Sequence, residues 1–229
     1  MSDHRPFPAV DFDQAGLNRQ HVFALDALPA EVRATLGDTA NYTQLILLGH
    51  GGKHLWAQVK AASIPGEHPI DDYTIKIVEQ VFAMHFADKK YRILYPGETA
   101  VGLQQLGTLA GWHQPSPFMV GIDREWGSWF AYRAAVLADT DFSPFLPVDR
   151  SNPCTTCASR PCLTHCPADA LMDGFSLHKC SNYRKQPNSL CRHTCLARLS
   201  CPVGIEHRYD EDQMHHTYAL SLKAIEQYD

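Results

Sequence analysis

Cysteine placement offers the most chemistry in this sequence. All eight cysteines fall between Cys154 and Cys201, and the first 153 residues contain none. Cys154, Cys157, Cys162 and Cys166, followed by Pro167, spell C-x2-C-x4-C-x3-C-P, a near relative of the bacterial iron-sulfur run C-x2-C-x2-C-x3-C-P. Cys180, Cys191, Cys195 and Cys201 follow, and Cys201 again precedes a proline, Pro202. A 4Fe-4S cubane needs a thiolate at every iron. Closely spaced cysteines on a curled loop supply three, and the last cysteine of such a run characteristically turns to the other cluster. The pattern therefore assigns Cys154, Cys157, Cys162 and Cys201 to one cluster and Cys166, Cys180, Cys191 and Cys195 to a second, with no cysteine left over. Two departures stand against it: Arg160 and Pro161 lengthen the first run, and the second is loosened to C-x3-C-x5-C-P. Structural zinc also takes cysteine quartets, but usually as paired C-x2-C motifs. A purely structural role for real clusters is the other plain alternative. His165, His178 and His193 lie among the cysteines and read as neighbours of the clusters, since the ligand count is complete without them.

Residues 150–208 hold eight Lys or Arg against three Asp or Glu, a local +5 in a chain of net −5. Cations near an anionic cluster stabilise it and raise its reduction potential, so compensation is the plain reading. A docking surface for an acidic redox partner, or for RNA through Arg184, Lys185, Arg192 and Arg198, is the alternative. The overall charge argues against general nucleic-acid binding, which draws on neutralised phosphates, so nucleic acid is not an expected partner. The start Met-Ser-Asp-His-Arg-Pro is polar, and no run approaches the roughly eighteen apolar residues of a membrane span. A cytoplasmic protein without a membrane partner is expected, a setting in which clustered cysteines are metal ligands more often than disulfides.

The elements that must carry these residues follow from periodicity. With 229 residues at 45% hydrophobic composition, the chain can bury a core in one domain plus a small module. Residues 1–149 read as an α+β domain, 150–208 as a double-cluster module, and 209–229 as a C-terminal helix on Met214, Tyr218, Leu222 and Ile225. Strands are expected over residues 44–48 and 91–95. Two more, over 118–123 and 129–137, read as a hairpin. Helices are expected over 55–62, 71–86 and 99–110, the second started by Pro69 and the third closed by Gly111. Pro144, Pro147 and Pro153 mark the passage into the module. Gly49-His50-Gly51-Gly52 reads as a tight turn, or more weakly as amides open to a phosphate. No G-x-S-x-G, P-loop or complete G-x-G-x-x-G occurs, so hydrolase, NTPase and Rossmann readings find no support.

The segment Gly121-Ile122-Asp123-Arg124-Glu125-Trp126-Gly127-Ser128-Trp129-Phe130-Ala131-Tyr132-Arg133 resembles one found in cobalamin-processing proteins of the cblC type, and His68-Pro69-Ile70-Asp71 opens a helix as it does there. Followed by a ferredoxin-like double-cluster module, it also resembles epoxyqueuosine reductase, a cobalamin-dependent tRNA-modification enzyme. The likeness spans about residues 69–205. It implies a nitroreductase-like mixed sheet-and-helix domain that cradles a corrinoid, with clusters passing electrons to cobalt. It also implies that Arg133 helps hold a ligand beside the corrinoid, with Trp129 and Tyr132 near the cofactor. On the residues alone, Arg133 sits on an apolar strand and needs an anionic partner, either a ligand or Asp123 or Asp139. Trp126, Trp129 and Phe130 read as walls of a flat site or as core.

The family pattern breaks at one position. Epoxyqueuosine reductases carry a Val-Asp-Ser/Thr segment whose aspartate donates a proton; here the stretch reads Ile93-Leu94-Tyr95-Pro96-Gly97, with no carboxylate before Glu98. The cblC-type proteins have His-Pro where Tyr95-Pro96 stands. Queuosine synthesis is therefore not expected, and Tyr95 is either a replacement proton donor or a rim residue. The reading is a reductase relaying electrons through two 4Fe-4S clusters to a corrinoid or another small acceptor, fed by a flavodoxin or a ferredoxin reductase system. A non-catalytic electron-transfer or assembly subunit is the alternative, and a tRNA-modifying reductase a further one.

Overall fold

Leu45, Ile46, Leu47 and Leu48 have no polar side on which to meet water, so their strand must be covered on both faces. In the computed structural model, which describes residues 5–148 and 151–227, it is: every residue of β2 (Gln44–Gly51) is buried. β2 lies between β1 (Arg19–Ala24) and β4 (Phe130–Ala138), and β3 (Tyr91–Tyr95) completes an antiparallel sheet of order β1-β2-β4-β3. The short helices α1 (Ala9–Gln14) and α2 (Ala30–Ala34) precede α3 (His54–Ala62), α4 (Pro69–His85) and α5 (Leu103–Ala110).

α4 shows why the sequence folds as it does. Pro69 occupies the first turn, where no N–H is needed, and Asp71 and Asp72 face the positive end of the helix dipole. Ile70, Tyr73, Val78, Val81 and Phe82 form one buried stripe that joins Ile46, Leu48, Leu55 and Val136 in a shared core. Beside it, Gln44 closes a buried polar knot. Its Nε2 donates to the Phe142 carbonyl at 2.6 Å, and its Oε1 accepts from Thr140 Oγ1 at 2.8 Å and from the Phe142 N–H at 3.0 Å. Leucine at Gln44 strands all three partners, and we expect it to destabilise this unit by about 2–4 kcal/mol. A urea midpoint unchanged from wild type would show that water replaces the amide.

The chain forms two compact units. One runs to Gly111 and resumes over Phe130–Val148; the other joins Trp112–Trp129 to the cysteine-bearing remainder. The division expected near residue 149, and the polar start at residues 1–4, lie outside the described residues. The crossings after Gly111 and after Trp129 are ones the prolines do not signal.

The second unit contains α6 (Pro161–Thr164), α7 (Leu177–Lys185), α8 (Leu196–Leu199) and α9 (Glu211–Gln227). The hairpin expected from residues 118–123 and 129–137 does not form. Gln114 and Ile122 exchange two hydrogen bonds of 3.0 Å, while Phe118 and Val120 pack on Cys162, Leu171 and Ala197. Their apolar alternation serves that small core, and the partners of β4 are β2 and β3. The glycine turn is corrected as well. Strand β2 continues through Gly51, whose N–H is bonded to Asn18 Oδ1 at 2.8 Å and is not open to a phosphate; the chain turns at Gly52.

Candidate functional site

Asn152 opens the first cysteine loop. Its side-chain oxygen accepts from the Cys154 N–H at 2.9 Å and its amide donates to the Pro115 carbonyl at 3.0 Å. The inserted pair explains the departure from the shorter run: Arg160 takes the left-handed conformation at φ 37° and Pro161 starts α6, so the extra residues become a helix start that carries Cys162 inward. Cys201 follows α8, and Arg208 donates to its carbonyl at 3.3 Å. A cavity of about 240 Å³ is lined by Cys154, Cys157, Cys162 and Cys201 together with Phe118 and Ile122.

Burial and neighbouring charges act on these sulfurs in two sets. Burial, then the charges of Cys201, Cys162 and Cys157, push the Cys154 thiol up to about 11. Burial followed by Cys201 and Cys157 raises Cys162, and burial with Cys157 raises Cys201. In the other set, burial followed by Cys195 and Cys166 raises Cys180; Cys191 is raised by burial and then by Cys195, Cys166 and Cys180. At these five thiols burial and neighbouring sulfurs disfavour the thiolate, which suits a cationic core that supplies the opposite charge. A single zinc draws all its thiolates to about 2.3 Å from one point, whereas a cubane spreads them over four irons. An all-cysteine set of this kind fits the cubane.

The histidines of the module have other partners. His165 Nδ1 lies 2.8 Å from the Pro161 carbonyl, His178 Nε2 lies 3.0 Å from Asn182, and His193 stacks on His215 with centroids 4.0 Å apart.

In the first unit, the pairing of β2 with β4 slips between Leu48 and Gly49, which leaves Arg133 without an opposite residue. Such bulges re-aim a side chain. Arg133 Nε donates to His50 Nδ1 at 2.9 Å, so its hydrogen-bond partner is an imidazole and neither of the carboxylates, Asp123 and Asp139, that the sequence offers as alternatives to a ligand. Tyr95 ends β3 beside a second slip, and burial raises its phenol pKa; the Arg133 charge opposes that rise and Asp71 adds to it. Tyr132 lies against Gly107 of α5, where a β-carbon would stand 1.8 Å from its hydroxyl. Of the two readings open to Trp129, core is the one found. It belongs to the second unit, is 0% exposed, and packs under the Arg198 guanidinium at 4.2 Å and against Tyr209. His50, on a glycine-flanked strand end that reads as a turn, is the member of the Arg133 group that sequence reasoning misses.

No protein-family model and no curated protein sequence matches the chain. Solved structures do. The chain is similar to epoxyqueuosine reductase from Bacillus subtilis, with a TM-score of 0.55 and 11% identity over 88% of this chain and 66% of that one. It is similar to an epoxyqueuosine reductase bound to an epoxyqueuosine-modified tRNA-Tyr stem loop, with a TM-score of 0.54 and 12% identity over 89% and 66%. It is also similar to a catabolic reductive dehalogenase, with a TM-score of 0.53 and 16% identity over 92% and 33%. The chain thus spans just under two thirds of these epoxyqueuosine reductases and a third of the dehalogenase. At these identities the likeness is one of fold: a mixed α+β chain with a small antiparallel sheet, built as epoxyqueuosine reductases and reductive dehalogenases are built.

Proposed function

We propose that the chain is an iron-sulfur reductase that holds one 4Fe-4S cluster on Cys154, Cys157, Cys162 and Cys201 and another on Cys166, Cys180, Cys191 and Cys195, and reduces a corrinoid or other small acceptor held in its first unit. The observation that carries this reading is the spacing of eight cysteines in two runs that each end in Cys-Pro, with Cys154, Cys157, Cys162 and Cys201 lining one cavity. The clusters, when bound, supply one-electron chemistry. The chain's own residues bind and protonate: Arg133, oriented by His50, offers a cation to an anionic group of the acceptor, and Tyr95 is the proton donor at the end of β3. The Tyr95 phenol, raised by burial, stays protonated at neutral pH and holds its proton more tightly than a free phenol, so donation from it needs an acceptor of high proton affinity.

Two structural relatives of known activity, a reductase and a dehalogenase, support reduction as the class of chemistry. The departure at Tyr95 favours the second reading, an electron-transfer or assembly subunit without turnover of its own. The tRNA-bound relative returns nucleic acid to consideration. The alternative RNA contact weighed from sequence changes with it: Arg184 and Arg198 are each only 7% exposed and cannot read a surface ligand, which leaves Lys185 and Arg192. Among the described residues no helix is long and apolar enough to cross a membrane.

Protein purified without oxygen is expected to contain roughly eight iron and eight sulfide per chain, and to shift the visible spectrum of added cobalamin. Iron without a spectral shift at tens of micromolar cobalamin (roughly, the range in which loose ligands bind) would leave the carrier reading; zinc in place of iron would end both.

A further inference from the structure

The second unit buries two arginines, and among the described residues neither meets a carboxylate. Arg198 donates through Nε to Ser128 Oγ at 3.2 Å and through Nη2 to the Ser128 carbonyl. Its guanidinium lies 4.2 Å from the Trp129 ring and 5.1 Å from that of Tyr209, and the acidic groups whose charge acts on it are the Tyr218 and Tyr209 phenols and the Cys195 thiol. Arg184 donates to the Cys191 carbonyl at 3.2 Å, to Ser221 Oγ at 3.0 Å and to the Tyr218 carbonyl at 2.9 Å, and lies 5.2 Å over the Tyr218 ring. Hydroxyls, carbonyls and ring faces satisfy the N–H donors but return only partial charge. A buried guanidinium without a full counter-charge is strongly unfavourable unless an anion binds beside it.

Both arginines border the same quartet. The Arg198 N–H donates to Cys195 Sγ at 3.4 Å, and Arg184 reaches the backbone of Cys191. Among the described residues the other quartet has no such buried pair. Arg160, in the first cysteine loop, is exposed, and Arg208, which donates to the Cys201 carbonyl, is half-buried. Water and salt screen an exposed cation far more than a buried one.

We propose that Arg184 and Arg198 are positioning residues that supply the counter-charge for an anionic iron-sulfur cluster on Cys166, Cys180, Cys191 and Cys195, and hold its reduction potential above that of the cluster on Cys154, Cys157, Cys162 and Cys201. The inference rests on the two-cluster reading above. Reduction adds one electron and one negative charge to a cluster already anionic with its thiolates. Two buried cations favour the reduced form more than one half-buried and one exposed cation do, so the two centres differ in potential although their ligands are alike.

The test is a dithionite titration of the anaerobic full-length protein followed by electron paramagnetic resonance, after iron and sulfide analysis. Two separate midpoints are expected, and Cys180→Ser should alter only the signal with the higher one. Arg198→Met should make reduction of that centre about tenfold less favourable, about 59 mV for a one-electron couple, and leave the lower midpoint in place; Arg198→Lys should restore most of the loss. Should Arg198→Met fail to fold, Arg184→Met reads the same midpoint through different hydrogen bonds. Absence of iron from wild type ends the two-cluster reading itself. Clusters present with coincident midpoints, with the higher midpoint on the first centre, or with midpoints unmoved by the methionine variants, overturn the arginine assignment alone.

Discussion

Alanine at both Cys154 and Cys201 is expected to leave about four of the roughly eight irons in place, although these two cysteines lie at opposite ends of the cysteine-bearing stretch. The expectation follows from the quartets. Cys201 is the first charge after burial to act on Cys154, while Cys166, from the same run as Cys154, acts on Cys180 and Cys191. If each run served its own cluster, the double variant would damage both centres and retain little iron. Alanine at Cys166 and Cys191 together should likewise spare the first centre, whereas local pairing predicts the loss of both. Iron and sulfide counts on the two double variants decide between the arrangements. The apo protein adds a pH signature. The Cys154 thiol is raised from its ordinary value of 9.0 to about 11, so the neutral thiol is favoured in the folded state. That stability is fully present below the unfolded value and is lost as pH rises from about 9 through about 11. Iron-loaded protein, whose sulfurs are already thiolates, should lack this alkaline loss.

What the sequence makes legible here is what local spacing encodes. The Cys-Pro endings and the intervals between cysteines announce the quartets because a curled loop must reach several corners of one small object. Helix α4 is legible because Pro69, Asp71 and Asp72 mark its start and an apolar stripe of helical period marks its face. Strand β1 is not, since Arg19, Gln20 and His21 hide its alternation; Arg19 is nonetheless buried, its guanidinium 4.4 Å from the Phe130 ring. Residues 118–123 mislead for the opposite reason. They alternate like a strand, but the surface that takes Phe118 and Val120 is supplied by Cys162, Leu171 and Ala197 much later in the chain. The partner of Arg133 is hidden in the same sense. The strand slip that turns it toward His50 is a property of the β2–β4 register, which no window along one strand contains. The burial of Arg184 and Arg198 inverts a surface reading of basic residues, because net charge counts cations without saying which way they face.

Alanine at Gly127 is expected to destabilise the second unit by about 2–5 kcal/mol, the sum of a left-handed backbone penalty and a steric one. Gly127 and Gly204 lie back to back, at φ 57° and 65°. A β-carbon on Gly127 would stand 2.2 Å from the Val203 carbonyl oxygen, and one on Gly204 would stand 2.5 Å from the Trp126 carbonyl carbon and 2.6 Å from the Gly127 nitrogen. These neighbours are backbone atoms, so no side chain can swing aside and one segment has to move. The segment that gives way is residues 202–204, which directly follow Cys201, and the Val203 N–H is among the groups that favour the Cys201 thiolate. Gly127→Ala should therefore lower the urea midpoint and also empty the first centre before the second, reducing iron toward half. Gly174→Ala is the control. Its φ of 92° carries the same conformational penalty, but nothing lies within 4 Å of the added carbon, so a loss of only about 1–2 kcal/mol is expected, with iron retained. Equal midpoints for the two alanine variants would mean that the close approach of the segment before Trp129 to the segment after Cys201 does not hold the first quartet together.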